Sequence, residues 1–328
     1  MRGLFCRSES LNPYGNLALE EYLLSSGRPT LYLWQNDNTV VIGRNQNAYT
    51  ECDMDYVRAS GIRVVRRLTG GGAVYHDRGN LNYSLILPRG LHDIARSTAM
   101  IVSALNRIGI PAVTSGRNDI LLDDKKISGN AYYSNREVGL HHGTLLYRVD
   151  PEKMERALSV PAWKKTKHGI RSVRARVTDI ASRFPEIDMA RIQDALREAF
   201  CGEYGVDRLE AVLPDEQRLR MLEDKYASDD WNFGRINEYD VFQEATFPWG
   251  TVKVSVSLAG GRIQSAEISS DSLEADLIDR VREMIRRNDR TAAEGHGVVS
   301  DILSVYQNLM MKESLNGKEH ENATPGCE

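Results

Sequence analysis

The run Arg66-Arg67-Leu68-Thr69-Gly70-Gly71-Gly72-Ala73-Val74-Tyr75-His76-Asp77, followed by Gly79-Asn80-Leu81-Asn82, gathers phosphate-handling residue types between two strand-like stretches. Consecutive glycines carry no Cβ atoms, so a ligand can come close to the backbone amides. The arginine pair ahead of them supplies charge that matches phosphate. The run is neither a P-loop, since no G-x-x-x-x-G-K-[ST] follows, nor the Rossmann G-x-G-x-x-G. The competing account is a flexible hairpin turn with two solvated arginines, and a short glycine motif taken alone favours it.

Four further segments carry candidate chemistry. Gly116-Arg117-Asn118-Asp119 precedes Lys125-Lys126-Ile127-Ser128-Gly129-Asn130-Ala131. A strand lysine can project its ammonium to where phosphate or a developing oxyanion sits. Asp119 can hold Mg2+, a hard cation that takes carboxylate and phosphate oxygen. A solvated charged tip is the alternative for Asp123-Asp124-Lys125-Lys126, and Lys125 is assigned to it. His141 and His142 are adjacent on a strand-like run, so they face opposite ways and do not share a metal. Lys164, Lys165, Lys167, Arg171, Arg174 and Arg176 form a basic stretch around Gly169, read as a mobile loop that closes over a nucleotide or meets an acidic partner.

The elements that must position these groups alternate without strict βαβ order. Asn12-Pro13-Tyr14-Gly15-Asn16 caps a helix bearing Leu19, Tyr22 and Leu23, with Glu20 and Glu21 on its other face. Thr30–Trp34 and Thr39–Ile42 flank Asn36-Asp37-Asn38 and read as a hairpin. Strands follow at 62–67, 82–87, 119–122 and 144–147, with a helix around 99–105. The pattern is α+β with a mixed or mainly antiparallel sheet. After a charged stretch near Leu213-Pro214-Asp215 and a junction at Trp231-Asn232-Phe233-Gly234, Val252, Val254, Val256 and Leu258 alternate with polar residues. Gly260-Gly261 turns that strand back, and two amphipathic helices complete a small α+β unit. The polar tail after it is expected to lack structure.

The 328 residues suggest about two domains. A formal charge of −4 argues against a nucleic-acid binder. No apolar run reaches the ~18 residues that span a bilayer, and the first residues lack the apolar stretch of a secretory signal. The expected place is therefore the cytoplasm, with no membrane partner. Cys6, Cys52, Cys201 and Cys327 show no C-x-x-C spacing, so no zinc or redox motif is visible. With no heptad pattern or long apolar stripe, the expected state is a monomer.

Taken together and in order, these motifs resemble the lipoate–protein ligases of the biotin/lipoate ligase superfamily. The likeness rests on Leu33-Trp34-Gln35-Asn36, Val41-Ile42-Gly43-Arg44-Asn45-Gln46-Asn47, the Arg66–Asp77 run, Gly116-Arg117-Asn118-Asp119, Lys126-Ile127-Ser128-Gly129, His142-Gly143-Thr144-Leu145 and Ser172-Val173-Arg174-x-Arg176-Val177. The stretch from Trp231 through Phe247-Pro248-Trp249-Gly250 is similar to the accessory domain of two-domain members.

The resemblance implies a large catalytic α+β domain over 1–232, with mixed sheets flanked by helices. It also implies an α+β accessory domain over 238–312 that assists the first half-reaction, and the polar, non-periodic composition of the tail over 313–328 leaves it expected to lack structure. The implied reaction joins lipoate to AMP, releasing pyrophosphate from ATP in the presence of Mg2+. The acyl group then passes to a lysine of lipoyl domains, on the E2 subunits of 2-oxoacid dehydrogenases or the glycine-cleavage H protein. Arg67, Gly72, Ala73, Val74, Tyr75 and Asn80 correspond to nucleotide-binding positions. Lys126 corresponds to the lysine that contacts both the adenylate phosphate and the acyl carbonyl, and Asp119 is the metal candidate. One ammonium between those centres stabilises both transition states, so no protein nucleophile is required. A transferase with a cysteine acyl carrier and a non-catalytic binder of lipoyl domains are the alternatives. No cysteine lies in the glycine run or beside Lys126, and Arg67, Lys126 and Asp119 are intact. Biotin ligase fits less well, because its glycine-and-arginine loop pattern is absent.

Overall fold

The protein is described by a computed structural model covering residues 1–116, 118–158, 177–234, 241–259, 262–287 and 297–321. Two compact units emerge, one from 1–42, 48–69 and 73–234, the other from 43–47, 70–72 and 235 onward. Arg117 and the basic stretch from Lys164 to Arg176 lie outside the described residues.

In chain order the first unit comprises β1 (Arg2–Arg7), α1 (Pro13–Leu23), β2 (Thr30–Trp34), β3 (Thr39–Ile42), α2 (Ala48–Glu51), α3 (Met54–Ala59), β4 (Arg63–Arg66), β5 (Val74–His76), β6 (Asn80–Pro88), α4 (Ile94–Arg107), β7 (Val113–Ser115), β8 (Asp119–Leu122), β9 (Lys125–Ser134), β10 (Val138–Leu146), α5 (Pro151–Ala157), α6 (Met189–Tyr204), β11 (Arg208–Ala211), α7 (Glu216–Ala227) and α8 (Asp229–Phe233). Eight strands lie in the order β11-β1-β2-β6-β10-β9-β8-β7, and a smaller sheet has the order β4-β3-β5. Strand β1 is parallel to both neighbours, whereas the pairs from β2 across to β7 are antiparallel. The α+β class with a mixed sheet is thus observed.

Each face of the large sheet meets different partners. Leu31, Leu33, Leu81, Leu85 and Leu145 point to one side and form a core with Ile101 and Leu105 of α4 and Leu196 and Phe200 of α6. Full burial of each such side chain is worth ~1.5–3 kcal/mol, so this layer dominates the unit's stability. On the other side Tyr32, Trp34, Ile86 and Leu140 pack with Leu17 of α1, Val41 of β3 and Val65 of β4.

One expectation fails in this unit, and the competing account of the glycine run fails with it. The strands Thr30–Trp34 and Thr39–Ile42 do not form a hairpin: β2 pairs with β1 and β6, while β3 pairs with β4 and β5. The segment between them crosses from one sheet to the other, and Asn36 is buried there, accepting from Asn16 Nδ2 at 3.0 Å. The arginines are not solvated. Arg66 is 1% exposed and turns to α8, donating from Nε to Trp231 O at 2.9 Å and from Nη2 to Asn232 O at 2.7 Å. Of the pair, only Arg67 keeps a direction toward the other polar groups described below.

The second unit carries β12 (Val241–Phe247), β13 (Gly250–Ala259) and β14 (Arg262–Ser270) in one antiparallel sheet, with α9 (Ala275–Arg286) and α10 (Val298–Glu321). Val252, Val254, Val256 and Ile268 pack against Ile278, Val281 and Ile302, as the alternation of β13 anticipates. The turn at Gly260-Gly261 lies outside the described residues. Where a tail without structure was expected from 313, α10 continues to Glu321. That stretch is built mainly from helix formers, and the single Gly317 costs only ~1 kcal/mol. Among the described residues no helix is long and apolar enough to cross a membrane.

The glycine run enters this unit through Gly70 to Gly72. A Cβ on Gly70 would sit 2.1 Å from Ser272 O, and the Gly71 amide donates to that same oxygen at 2.9 Å. Gly71 has φ +90°, a region other residues seldom adopt. Two of the three glycines therefore serve the backbone itself, and Gly72 has open space where a Cβ would be. Gly70→Ala should consequently destabilise by about 1–3 kcal/mol, the usual cost of overpacking, whereas Gly72→Ala should leave the thermal midpoint unchanged. Thermal denaturation of the two variants checks this, and equal midpoints would show that Ser272 does not constrain Gly70.

Candidate active site

Strand registers place a row of polar residues on the α1 side of the large sheet. Trp34 pairs with Asn82, and Asn82 with Thr144. Gly143 pairs with Asn130, which sets Thr144 opposite Gly129, and the Gly129 amide donates to Thr144 Oγ1 at 3.2 Å. Gly129 in turn pairs with Asp119. One row further along, Tyr32, Ser84, His142 and Ala131 are aligned on the same face, because positions two apart in a strand share it. His141 points to the opposite core, as adjacent strand residues must.

A buried chain of hydrogen bonds crosses this face. Trp34 Nε1 donates to Ser84 Oγ at 2.9 Å, and Ser84 donates to Glu20 Oε1 at 2.5 Å. His142 Nδ1 lies 2.8 Å from the same Glu20 oxygen, and His142 Nε2 lies 2.8 Å from Thr69 Oγ1. Arg67 Nε donates to Thr69 Oγ1 at 2.9 Å, and Arg67 Nη1 to Val41 O at 3.1 Å. The directions close if Thr69 gives its proton to Nε2 and His142 gives Nδ1–H to Glu20. A cation and an anion, Arg67 and Glu20, thereby sit near the two ends of a chain of neutral groups. Burial pulls the Arg67 guanidinium down to about 10, and the Glu20 carboxylate opposes that fall.

Glu20 was missed by the sequence reading, which put it on the solvent side of α1. It is 1% exposed and shares the helix face of Leu17 and Leu23, three residues away on each side. That i, i+3 spacing is the signal that would have found it.

Lys126 meets Asp119 at the other end of the row. Its Nζ lies 2.7 Å from Asp119 Oδ1, and each side chain is about one-third exposed, whereas Lys125 is fully on the surface. The register explains which lysine turns inward. Ile120 pairs with Ser128, but Leu121 pairs with Lys126, so Ile127 is an extra residue on β9. This bulge puts Lys126 on the Asp119 side and lets Ile127 enter the opposite core. Gly129 clears the way, since a Cβ there would stand 2.9 Å from Lys126 Nζ. The Thr178 amide donates to Lys126 O at 3.0 Å and fixes the backbone.

Asp119 Oδ1 is a buried acceptor, and the close ammonium does not align as a hydrogen-bond donor to it. No group of three or more metal-ligating side chains occurs among the described residues. One carboxylate with spare accepting capacity fits Mg2+ in the way that ion is held beside phosphates, mostly by water and substrate oxygens.

The remaining sequence candidates fall as follows. Val74 and Tyr75 lie on β5 directly after Ala73. The Tyr75 ring is buried in the core behind the small sheet, and its hydroxyl donates to Asn38 Oδ1 at 3.0 Å. The Tyr75 ring is thus unavailable to a ligand, whereas Ala73 and Val74 are half-buried. Asn80 is fully buried and donates from Nδ2 to Asn82 Oδ1 at 2.9 Å, so it joins the polar row, with its own Oδ1 lacking a partner. Gly72 groups with the second unit. Burial raises the thiols of Cys6, Cys201 and Cys52, the last to about 12, so among the described cysteines none is a ready thiolate.

The model of the lipoyl protein ligase A/B catalytic domain matches residues 12–201, and that of the bacterial lipoate protein ligase C-terminus matches 237–293. Over 292 residues the chain is 37% identical to lipoate-protein ligase A of Psychrobacter cryohalolentis, covering 85% of this chain and 86% of that one. Among solved structures, P. falciparum LipL1 in complex with lipoate superposes with a TM-score of 0.74 at 25% identity, over 86% of this chain and 89% of that one. A lipoate-protein ligase A bound with ATP gives 0.64 at 30% identity, over 71% and 99%. A third match belongs to a study of a bi-partite lipoate protein ligase and its E2 lipoyl domain from Thermoplasma acidophilum, with 0.66 at 30% identity, over 74% and 100%.

Buried imidazoles set an acid limit on the fold that holds these groups. His76 and His141 are each pushed from 6.5 down to about 3, chiefly by burial and further by nearby positive groups. Both stay neutral when folded and take up a proton near 6.5 when unfolded. Their contribution is therefore complete above pH 6.5 and is lost as pH falls toward 3. Urea midpoints should fall steadily from pH 7 to pH 5, and His141→Gln should flatten the dependence. A midpoint constant over that interval would mean the imidazoles are not held neutral.

Proposed function

The chain belongs to the lipoyl protein ligase A/B family, and on that premise we propose how its residues divide the work of lipoate activation and transfer. The lipoate carboxylate attacks the α-phosphorus of ATP, forming lipoyl-adenylate and releasing pyrophosphate. The ε-amine of an acceptor lysine then attacks the acyl carbonyl and AMP leaves. The observation that carries the reading is the pairing of Lys126 with Asp119 at one end of a polar row whose other groups are buried and mutually bonded.

Charge builds first on the pentacoordinate phosphorus and later on the acyl oxygen, and the Lys126 ammonium stabilises both. Ala73, Val74 and Tyr75 offer backbone to the nucleotide together with Gly72, whose missing Cβ leaves room, and Arg67 and Asn80 complete that set. Asp119 is the side chain that would hold Mg2+, which would neutralise charge on the departing pyrophosphate. Residues 1–232 act as the catalytic domain and 238–312 as an accessory domain favouring adenylation. The acceptors are lipoyl domains of 2-oxoacid dehydrogenase E2 subunits and the glycine-cleavage H protein, met by a cytoplasmic monomer. The raised thiols of Cys6, Cys52 and Cys201 support this reading over a cysteine acyl carrier, which needs a thiolate. Pyrophosphate release from ATP and lipoate without any acceptor tests the proposal, because neither a transferase nor a passive binder would produce it.

Lys126→Ala should slow pyrophosphate release and acyl transfer from pre-made lipoyl-adenylate by ~10²–10³ each, the usual cost of losing one such donor. Stability should change little, since the side chain is part-exposed and leaves no core cavity. Lys125→Ala should be silent in both assays. Loss confined to the first step would reduce Lys126 to a phosphate clamp, and a larger loss from Lys125→Ala would overturn the bulge assignment.

A further inference from the structure

The Lys126–Asp119 pair depends on a ladder that is weak where it matters. Strand β8 has four residues, its hairpin partner β7 has three, and the bulge interrupts its pairing with β9. Asp119 is the first residue of β8 and follows directly on the loop containing Gly116. Left to this ladder, Asp119 would fray away from Gly129.

Two asparagines prevent that. The Asn130 amide donates to Asn118 O at 2.9 Å, and Asn130 Nδ2 donates to the same oxygen at 3.0 Å. Asn118 Nδ2 answers by donating to Asn130 O at 3.0 Å. Three bonds thus tie the residue just before Asp119 to the residue just after Gly129. The Asn130 side chain is itself held from the far face of the sheet. Its Oδ1 accepts from the Tyr83 hydroxyl and lies 2.8 Å from His141 Nε2, which must carry the proton because the amide nitrogen is committed to Asn118. Gly143, across on β10, is glycine for this reason: a Cβ would lie 2.4 Å from the Tyr83 oxygen and 2.5 Å from Asn130 Oδ1. Asn130 is 3% exposed and every polar atom of its side chain is engaged on the core side, so it does not reach a substrate on the other face.

We infer that Asn118 and Asn130 are positioning residues of the adenylation site, a reading that rests on the role proposed for Lys126. By pinning Asp119 opposite Gly129 they hold the ion pair that aims the Lys126 ammonium. The amide fits this task because it donates from one atom and accepts at another: Asp at position 130 could not donate to Asn118 O, and Ser would have to serve all three partners from a single, shorter-reaching oxygen.

Asn118→Ala is the variant of choice, because it removes the Asn118 Nδ2 bond to Asn130 O at a half-buried position and leaves the two bonds to Asn118 O, whereas truncating Asn130 would leave Tyr83 and His141 without an acceptor in the core. Adenylation kcat should drop about tenfold, as a misplacement of under an ångström commonly costs, with the KM for ATP changed less than about twofold. In the Lys126→Ala background the same substitution should have no further effect, because neighbouring residues that act through one group are not additive. A readout free of turnover is the Lys126 15Nζ resonance in the full chain without ligands. It should be resolved in the unaltered protein and broadened by Asn118→Ala as the ion pair loosens. Equal losses in both backgrounds would assign Asn118 a merely structural role, and an unchanged resonance or kcat would overturn the inference. If Lys126→Ala itself proved harmless while Asn118→Ala broadened the resonance, the catalytic role of Lys126 would fall and the clamp on its ion pair would stand.

Discussion

A guanidinium buried out of water must be answered by a carboxylate, and the first unit is arranged around that requirement. Arg67 is 6% exposed and Glu20 1% exposed, and they are joined through Thr69 and His142 rather than by direct contact. Removing either end would strand a buried charge, typically at ~3–5 kcal/mol. The arrangement therefore dictates where α1 lies on the sheet, which way His142 faces, and why Ser84 and Trp34 are polar at their hidden edges. Helix α1 is anchored by this chemistry as much as by Leu17 and Leu23.

The neutral, hydrogen-bonded side chains and the part-exposed ion pair occupy one face of one sheet, yet they do different physical jobs. Asn80 bonds Asn82, Asn82 bonds Trp34 O, and Ser84 and His142 both bond Glu20, so these buried groups offer a fixed polar surface. Lys126 and Asp119 keep solvent contact, each about one-third exposed. On the roles proposed for them, the buried groups exclude competing geometry and the ion pair follows the charge of the activated acyl phosphate.

Much of this was legible in the residues. A period-two run located β13, short apolar runs at 82–87 and 144–147 marked β6 and the end of β10, Asn12 and Pro13 announced α1, and opposite facing of neighbours separated His141 from His142. Lys125 is exposed, as its reading as part of a solvated tip anticipates. What escaped was tertiary. Charge alone sent Glu20 to the solvent, although its spacing from Leu17 put it inside. Turn-forming residues at 36–38 suggested a hairpin, but Asn36 uses its amide to bond Asn16 and the chain changes sheets. Arg66 and Arg67 look equivalent in sequence, and only strand alternation gives them opposite fates, one clamped to α8 and the other facing the polar row. The glycine run read as ligand space is largely backbone clearance, because nothing local reveals that Ser272 comes so near.

The bulge at Ile127 makes the identity of the inward lysine a matter of counting rather than of chemical type. Lys125 and Lys126 carry the same charge and length, and a single extra residue decides which one is aimed. A one-residue deletion between Lys126 and Gly129 would therefore be more damaging than most substitutions there, since it would exchange the roles of two identical side chains while leaving composition nearly intact. Insertions and deletions in this short interval are constrained by parity, and the interval can lengthen without loss only in steps that restore the same facing.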